Sequence, residues 1–159
     1  MKSLMVLMLI GASGCTASIS GMFDVGSLSN EDAGAVNEAL VEWRDKTNGK
    51  DFAELVYGAE NKIYIGVVPC PSPSRKYSDA GCITFDTPEV VGGQRKETVW
   101  LDPNNILCKD LTRHECLRRV ALHEFGHHFG KPDSSKMGIV MSDVDPVLAP
   151  HLTQEDLDL

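Results

Sequence analysis

Residues Thr112–Asp133, TRHECLRRVALHEFGHHFGKPD, contain the most informative helix pattern of the chain. Thr112 with Glu115 three residues later is a capping-box pattern, which predicts that a helix begins here. Gly130 predicts where the helix stops, because glycine takes the positive φ that the residue after a helix often needs. Between them an apolar stripe recurs at four-residue steps: Leu117, Ala121, Phe125 and Phe129. The pattern predicts an amphipathic helix with one buried face.

The last third of this helix contains an HExxH motif that begins at His123. His123 and His127 stand at positions i and i+4, on one face of a helix, so both imidazoles can bind one metal ion. Glu124 lies about 100° further round the helix, close enough to hold a water molecule without being a ligand. Composition alone produces HExxH in about one chain of this size in a hundred. Glu124 is therefore the candidate general base of a metal-dependent hydrolase.

A catalytic zinc ion takes three protein ligands and keeps one position open for water. Gly130 can turn the chain back and aim Asp133 at the metal, which makes Asp133 the first candidate for the third ligand. Three residues beyond the next turn remain alternatives: Asp143, Asp145 and His151. A metallohydrolase with a distant Glu ligand would use Glu155, the only glutamate after Glu124.

The stretch HEFGHHFGKPD, His123–Asp133, resembles the long zinc signature of the metzincin peptidases, HExxHxxGxxH/D. Most metzincins, including the matrixins, have His at the last position, and the Asp form resembles the snapalysin-type bacterial enzymes. The resemblance implies a Zn²⁺ cofactor, a peptide or protein substrate, and a downstream turn whose methionine lies beneath the metal. Gly138–Ser142 resembles that turn, with Met141 as the better candidate and Met137 as the alternative.

The order of elements also resembles a matrixin-like catalytic domain. A capped helix begins after Ser29 and includes Trp43, β-rich runs follow, and the segment LTQEDL that starts at Leu152 closes the chain. The β-rich runs are 62–69, 82–86 and 97–101. The resemblance implies a small single-domain α+β fold over residues 29–159. In it, a short mixed sheet packs with an N-terminal helix and the zinc helix, and a short C-terminal helix follows.

We therefore expect a zinc-dependent endopeptidase that hydrolyses peptide bonds with a metal-activated water and Glu124 as general base. The alternative is a non-catalytic zinc-binding lipoprotein that acts as an interaction module. Both alternatives predict that the protein binds zinc, but only the endopeptidase is expected to hydrolyse peptide bonds. Nothing in the sequence indicates a structural calcium ion.

The N-terminus carries an export pattern. Residues 4–11, LMVLMLIG, form an apolar run that is too short to span a bilayer, which needs roughly 20 residues. The following Ala12-Ser13-Gly14-Cys15 resembles the lipobox of bacterial lipoproteins. The alternative is an ordinary signal peptide that is cleaved after a small residue. The resemblance implies that residues 1–14 are a signal peptide, that Cys15 is lipid-modified, and that the protein is anchored to a bacterial membrane. We interpret residues 15–28 as a tether. Bacterial lipoproteins that stay in the inner membrane often have an aspartate directly after the lipid-modified cysteine. Residue 16 is a threonine, so we prefer the outer membrane or the cell surface as the location.

Setting Cys15 aside leaves four of the five cysteines, an even number in an exported chain. Sequence proximity favours the pairs Cys70–Cys82 and Cys108–Cys116, each closing a short loop. A structural zinc ion held by all four thiolates is the alternative, which the wide spacings disfavour.

Charge and composition limit the partners. The chain of 159 residues has 15 Lys and Arg against 23 Asp and Glu, a net charge of −8, and a pI of about 5.0. Nucleic-acid-binding modules have clustered basic residues and a high pI, so this class is excluded. The expected partners are a peptide substrate and, through the lipid, a membrane. No pattern indicates an oligomer, and we expect a monomer.

Overall fold

The computed structural model describes residues 19–66, 80–85, 96–143, 145, 147 and 149–159. The strands are β1 (Ile19–Asp24), β2 (Asp51–Val56), β3 (Asn61–Ile65), β4 (Gly81–Phe85) and β5 (Glu97–Leu101). The helices are α1 (Asn30–Lys46), α2 (Arg113–His128) and α3 (Gln154–Asp158), with a 3₁₀ turn at Ile106–Cys108. The α+β class, the mixed sheet and the three helices of the sequence analysis are thereby confirmed.

The five strands form one mixed sheet in the order β2-β1-β3-β5-β4. β1, β2, β3 and β5 are parallel, and β4 pairs antiparallel with β5 at one edge. The helices α1 and α2 cover one face of the sheet, and the residues of the central strands that are fully buried beneath them lie on that face. The buried residues of the central strands are Phe23, Ile63, Val99 and Leu101.

Two of the strands, β1 and β2, did not appear among the expected elements. The tether expected over residues 15–28 is wrong from Ile19 onward, because β1 lies inside the sheet between β2 and β3. The folded domain therefore includes residues well before position 29. The apolar pattern of β1 is weak because one core-facing position is Gly21, where an added Cβ would lie 2.8 Å from Nε2 of His128. Phe23 provides a large core side chain, packed edge-on against Phe125 at 5.0 Å between ring centroids.

The predicted helix ends are confirmed. Ser29 caps α1, Thr112 and Glu115 form the capping box of α2, and Thr153 caps the single short helix α3. Trp43 in α1 is fully buried, and its Nε1 donates a hydrogen bond of 2.9 Å to the carbonyl of Leu122. This bond fixes α1 against the metal-motif half of α2.

The cysteine prediction holds where the structure describes it. Cys108 and Cys116 form a disulfide that joins the 3₁₀ turn to the first turns of α2. Cys82 is also disulfide-bonded, while Cys70 lies outside the described residues, so the pair Cys70–Cys82 stays a prediction. The oxidised Cys108–Cys116 pair excludes a zinc site that needs all four thiolates.

The predicted signal peptide, Cys15 and residues 16–18 also lie outside the described part of the chain. Within the described ranges, no helix is long and apolar enough to cross a membrane.

Acid should weaken the fold through Asp24 at the end of β1. The Lys62 ammonium, 2.8 Å away, and the N–H groups of Gly26 and Gly58 lower the pKa of Asp24 from 3.8 to about 2. A carboxylate with a depressed folded pKa stabilises the protein above its unfolded pKa, and this contribution is lost as the pH falls from about 4 towards 2.

The Asp24→Asn variant should therefore be less stable than the wild type at pH 7, and the difference should shrink as the pH falls below about 4. Urea unfolding of the metal-free proteins at several pH values measures this. The exposed Asp110→Asn variant is the control, and a gap between Asp24→Asn and wild type that stays constant with pH would contradict the assignment.

Candidate metal centre

Helix α2 presents two imidazoles whose orientation is fixed by backbone carbonyls. His123 is 4% exposed, and its Nδ1 lies 2.8 Å from the carbonyl of Val140. His127 Nδ1 lies 2.9 Å from the carbonyl of Lys131. A carbonyl only accepts, so each Nδ1 donates, and in the neutral imidazoles both Nε2 atoms carry lone pairs. This carbonyl-anchored arrangement is the one that metal-binding histidines use.

The two Nε2 atoms and a carboxylate converge on one point. The two Nε2 atoms are 3.2 Å apart, and Asp133 Oδ1 lies 3.5 Å from His123 Nε2 and 3.3 Å from His127 Nε2. Ligands about 2.05 Å from a tetrahedral zinc ion are separated by about 3.3 Å. The three separations match the edges of such a tetrahedron, so His123, His127 and Asp133 form a group that could hold a metal ion.

The electrostatics of His127 also suit a cation. Burial lowers the pKa of His127, but the Asp133 carboxylate, the Lys131 carbonyl and the charge of Glu124 together outweigh burial. The net result is a raised pKa. The same acceptors and charges that attract a proton attract a metal ion at this position.

The local chain explains how Asp133 reaches the histidines. Gly130 has a φ of +83° and ends α2 as predicted, and the Lys131 N–H donates to the carbonyl of Gly126 at 2.9 Å. The next residue after Asp133 is then fixed by two backbone hydrogen bonds. Ser134 N–H donates to the Met141 carbonyl at 2.8 Å, and its own carbonyl accepts from the Asp143 N–H at 2.9 Å.

Met141 lies fully buried against the turn of α2 that joins the two histidines. A Cβ added to Gly126 would overlap Met141 Sδ and would lie 2.9 Å from its Cε. A side chain at position 126 would therefore displace the thioether of Met141 from this position. Met137, the alternative candidate, is 61% exposed and does not occupy this position.

A buried carboxylate from α3 holds the Met141 turn. Asp156 is completely buried, and its Oδ1 accepts a 2.9 Å hydrogen bond from the Met141 N–H. Its Oδ2 accepts from both the N–H and the hydroxyl of Thr153, each at 2.8 Å. Through Asp156, helix α3 thus holds the Met141 turn in place beneath the two histidines.

Glu124 is 4% exposed and lies against the start of β4. An ideal Cβ at Gly81 would be 2.7 Å from both Cγ and Oε1 of Glu124, and 2.6 Å from Val120. The absence of a side chain at Gly81 therefore makes room for Glu124 between α2 and the edge of the sheet. Neither Gly81 nor Gly126 was a candidate in the sequence, because their neighbours are distant along the chain.

The Gly81→Ala variant should fold but should displace the carboxylate of Glu124. For the casein hydrolysis that the sequence analysis predicts, we expect kcat/KM to fall at least about tenfold, since misplacement of about 1 Å can cost about 100-fold, while the expected zinc binding stays unchanged. Gly34→Ala on α1, where an added Cβ meets nothing within 4 Å, is the matched control. Activity equal to that control would show that Gly81 does not position Glu124.

The other histidines lie elsewhere. His128 has a side chain that is 6% exposed and pairs through Nδ1 with Glu97 at 2.5 Å, so it joins α2 to β5. His114 contacts Glu38, and His151 contacts Glu42.

The alternative third ligands do not join the group. Among the described residues, the group contains Asp133 and none of Asp143, Asp145 or His151. The side chain of Glu155 contacts Lys136 instead.

No family model matches this chain, and no curated protein matches it.

Proposed function

We propose that this protein is a zinc-dependent endopeptidase of the metzincin type. The observation that carries the proposal is the convergence of His123, His127 and Asp133 at tetrahedral spacing, with Glu124 directly after His123 in the same helix. The signature HExxHxxGxxD and the methionine beneath the histidines support the same class. Two imidazoles and one carboxylate leave one tetrahedral position open, which is the pattern of catalytic rather than structural zinc sites.

A zinc ion held there would lower the pKa of a water molecule towards neutrality and polarise a peptide carbonyl. The protein supplies the rest of the chemistry. Glu124, backed by Gly81, accepts the proton of the attacking water and then passes it to the leaving amine, so one carboxylate serves first as base and then as acid. The carbonyls of Val140 and Lys131 hold the imidazole rings in place throughout.

The substrate would lie extended beside β4. This strand is at the edge of the sheet, pairs with β5 on one side only in the described part of the chain, and begins at Gly81 next to Glu124. A peptide added to a sheet edge gains main-chain hydrogen bonds, which fix its position without requiring a particular sequence. Its scissile bond would then pass beside the metal centre.

For its location, we propose export and lipid attachment at Cys15, on the outer membrane or the cell surface. The lipobox-like Ala12–Cys15 supports this, and the Cys108–Cys116 disulfide fits an oxidising compartment.

The proposal is tested on a soluble form that starts at Thr16 and is produced in an oxidising compartment. It should bind one zinc ion per chain and hydrolyse quenched fluorescent casein. Hydrolysis should stop on chelation and return when zinc is restored. The His151→Ala variant, changed at a histidine outside the group, should behave like the wild type. Bound zinc without any hydrolysis would favour the non-catalytic binding module, and no zinc would contradict the proposal.

A further inference from the structure

The first strand begins close to the residue marked for lipid attachment. β1 starts at Ile19, four residues after Cys15. A fully extended chain advances at most about 3.6 Å per residue, so the Cα atoms of Cys15 and Ile19 are at most about 14 Å apart. A lipid on Cys15 would therefore hold the start of β1 next to the lipid headgroups.

The metal centre lies near the same strand. Gly21, two residues into β1, packs against His128 at the end of α2. His128 directly follows His127, one of the three convergent side chains. By chain length Gly21 is at most about 22 Å from Cys15, and its contact with His128, next to His127, keeps the metal centre within a few nanometres of the anchor.

The surface around the start of β1 carries exposed cations. Ile19 pairs with Asp51, which places the turn between α1 and β2 beside the start of β1. Lys46 and Lys50 flank this turn, are exposed, and form no ion pair with any described residue. Anionic headgroups attract such lysines, although the chain as a whole has a net charge of −8.

We propose that the protein works as a membrane-surface peptidase whose turn Lys46–Lys50 faces the headgroups. Its substrates are proteins anchored to the same membrane, cut within a few nanometres of the bilayer. The inference rests on the proposed peptidase function and on lipid attachment at Cys15.

The test uses the full lipidated protein in vesicles that contain phosphatidylglycerol. The reporters are lipids that carry a casein-derived segment on polyproline spacers, which place it about 25 Å or about 100 Å above the bilayer. The wild type should cut the near reporter about tenfold faster than the far one, since the lipid anchor keeps the metal centre at a height where it can contact only the near segment. A variant with a long Gly/Ser linker between Ser18 and Ile19 should cut the two within about twofold of each other.

The role of the turn is measured with the double variant Lys46→Glu, Lys50→Glu. On vesicles with phosphatidylglycerol it should cut the near reporter several-fold more slowly than the wild type, and on pure phosphatidylcholine at the wild-type rate. The control is Lys109→Glu, an exposed lysine just before α2. Lys109 lies four residues before Arg113, which pairs with Asp32 in the first turn of α1. Lys109 is therefore near the start of α1, whereas the turn Lys46–Lys50 is at its end.

Cleavage of the same casein segment free in solution separates the two proposals. If the wild type cuts it but cuts both reporters equally, or if the linker variant keeps the height preference, the membrane-surface proposal is wrong. If the wild type does not cut it at all, the peptidase function fails and this inference fails with it. A Cys15→Ser protein that still prefers the near reporter would overturn the anchoring geometry.

Discussion

Replacing Glu124 by Gln is expected to leave zinc binding intact and to lower kcat/KM for casein by between about 100-fold and about 10 000-fold. The amide has nearly the same size, so it fits the space left by Gly81, but it cannot take a proton from water. The side chain does not belong to the convergent group of three, so zinc should stay bound at one ion per chain, and loss of the Glu124 charge should lower the affinity only slightly. Steady-state hydrolysis and zinc content are measured on the same preparations.

The matched control for this variant is Glu60→Gln, an exposed glutamate that pairs with Lys96 and does not belong to the group of His123, His127 and Asp133. It should hydrolyse casein at the wild-type rate. Wild-type turnover by the Glu124→Gln protein would remove Glu124 as the general base, and loss of zinc from this variant would show that it acts on the metal instead.

Replacing Asp133 by Ala should weaken zinc binding by more than about 100-fold, because even residues that only support a ligand contribute 10- to 100-fold. Hydrolysis at limiting zinc should disappear with it. At a zinc concentration about 100 times its dissociation constant, the wild type should gain about 2.7 kcal/mol of stability, and the variant should gain far less. Competition with a fluorescent chelator gives the affinities, and urea unfolding with and without zinc gives the stabilities.

Asp143→Ala is the control, because Asp143 was an alternative ligand in the sequence and is exposed in the structure. It should bind zinc like the wild type. If the Asp133→Ala variant keeps its affinity while Asp143→Ala or His151→Ala loses it, the third ligand lies beyond the Met141 turn and the assignment is wrong.

The parts of the fold that local chemistry determines could be predicted from the sequence. Ser29, Thr112 and Thr153 cap their helices through hydrogen bonds to residues three positions further along the chain. The positive φ of Gly130 is likewise a local property, because it depends on the glycine itself. The Cys108–Cys116 disulfide closes a short loop, so proximity along the chain was a sufficient guide.

What depends on distant neighbours could not be predicted. β1 has Gly21 at a core position because His128 fills that space, and no local pattern reveals such a strand. The sequence made Asp133 the first candidate for the third ligand, but the hydrogen bonds between Ser134 and the Met141 turn, which fix the chain beside Asp133, become visible only in the fold. The fit of Met141 against Gly126 likewise needs the folded chain.

Zinc-edge X-ray absorption on the active wild-type protein measures whether His123, His127 and Asp133 bind a zinc ion that keeps one position open. We expect four light-atom ligands at about 2.0–2.1 Å, with the scattering of two imidazoles and with oxygen in the remaining places. A sulfur shell at about 2.3 Å, or the scattering of a third imidazole, would contradict the assignment.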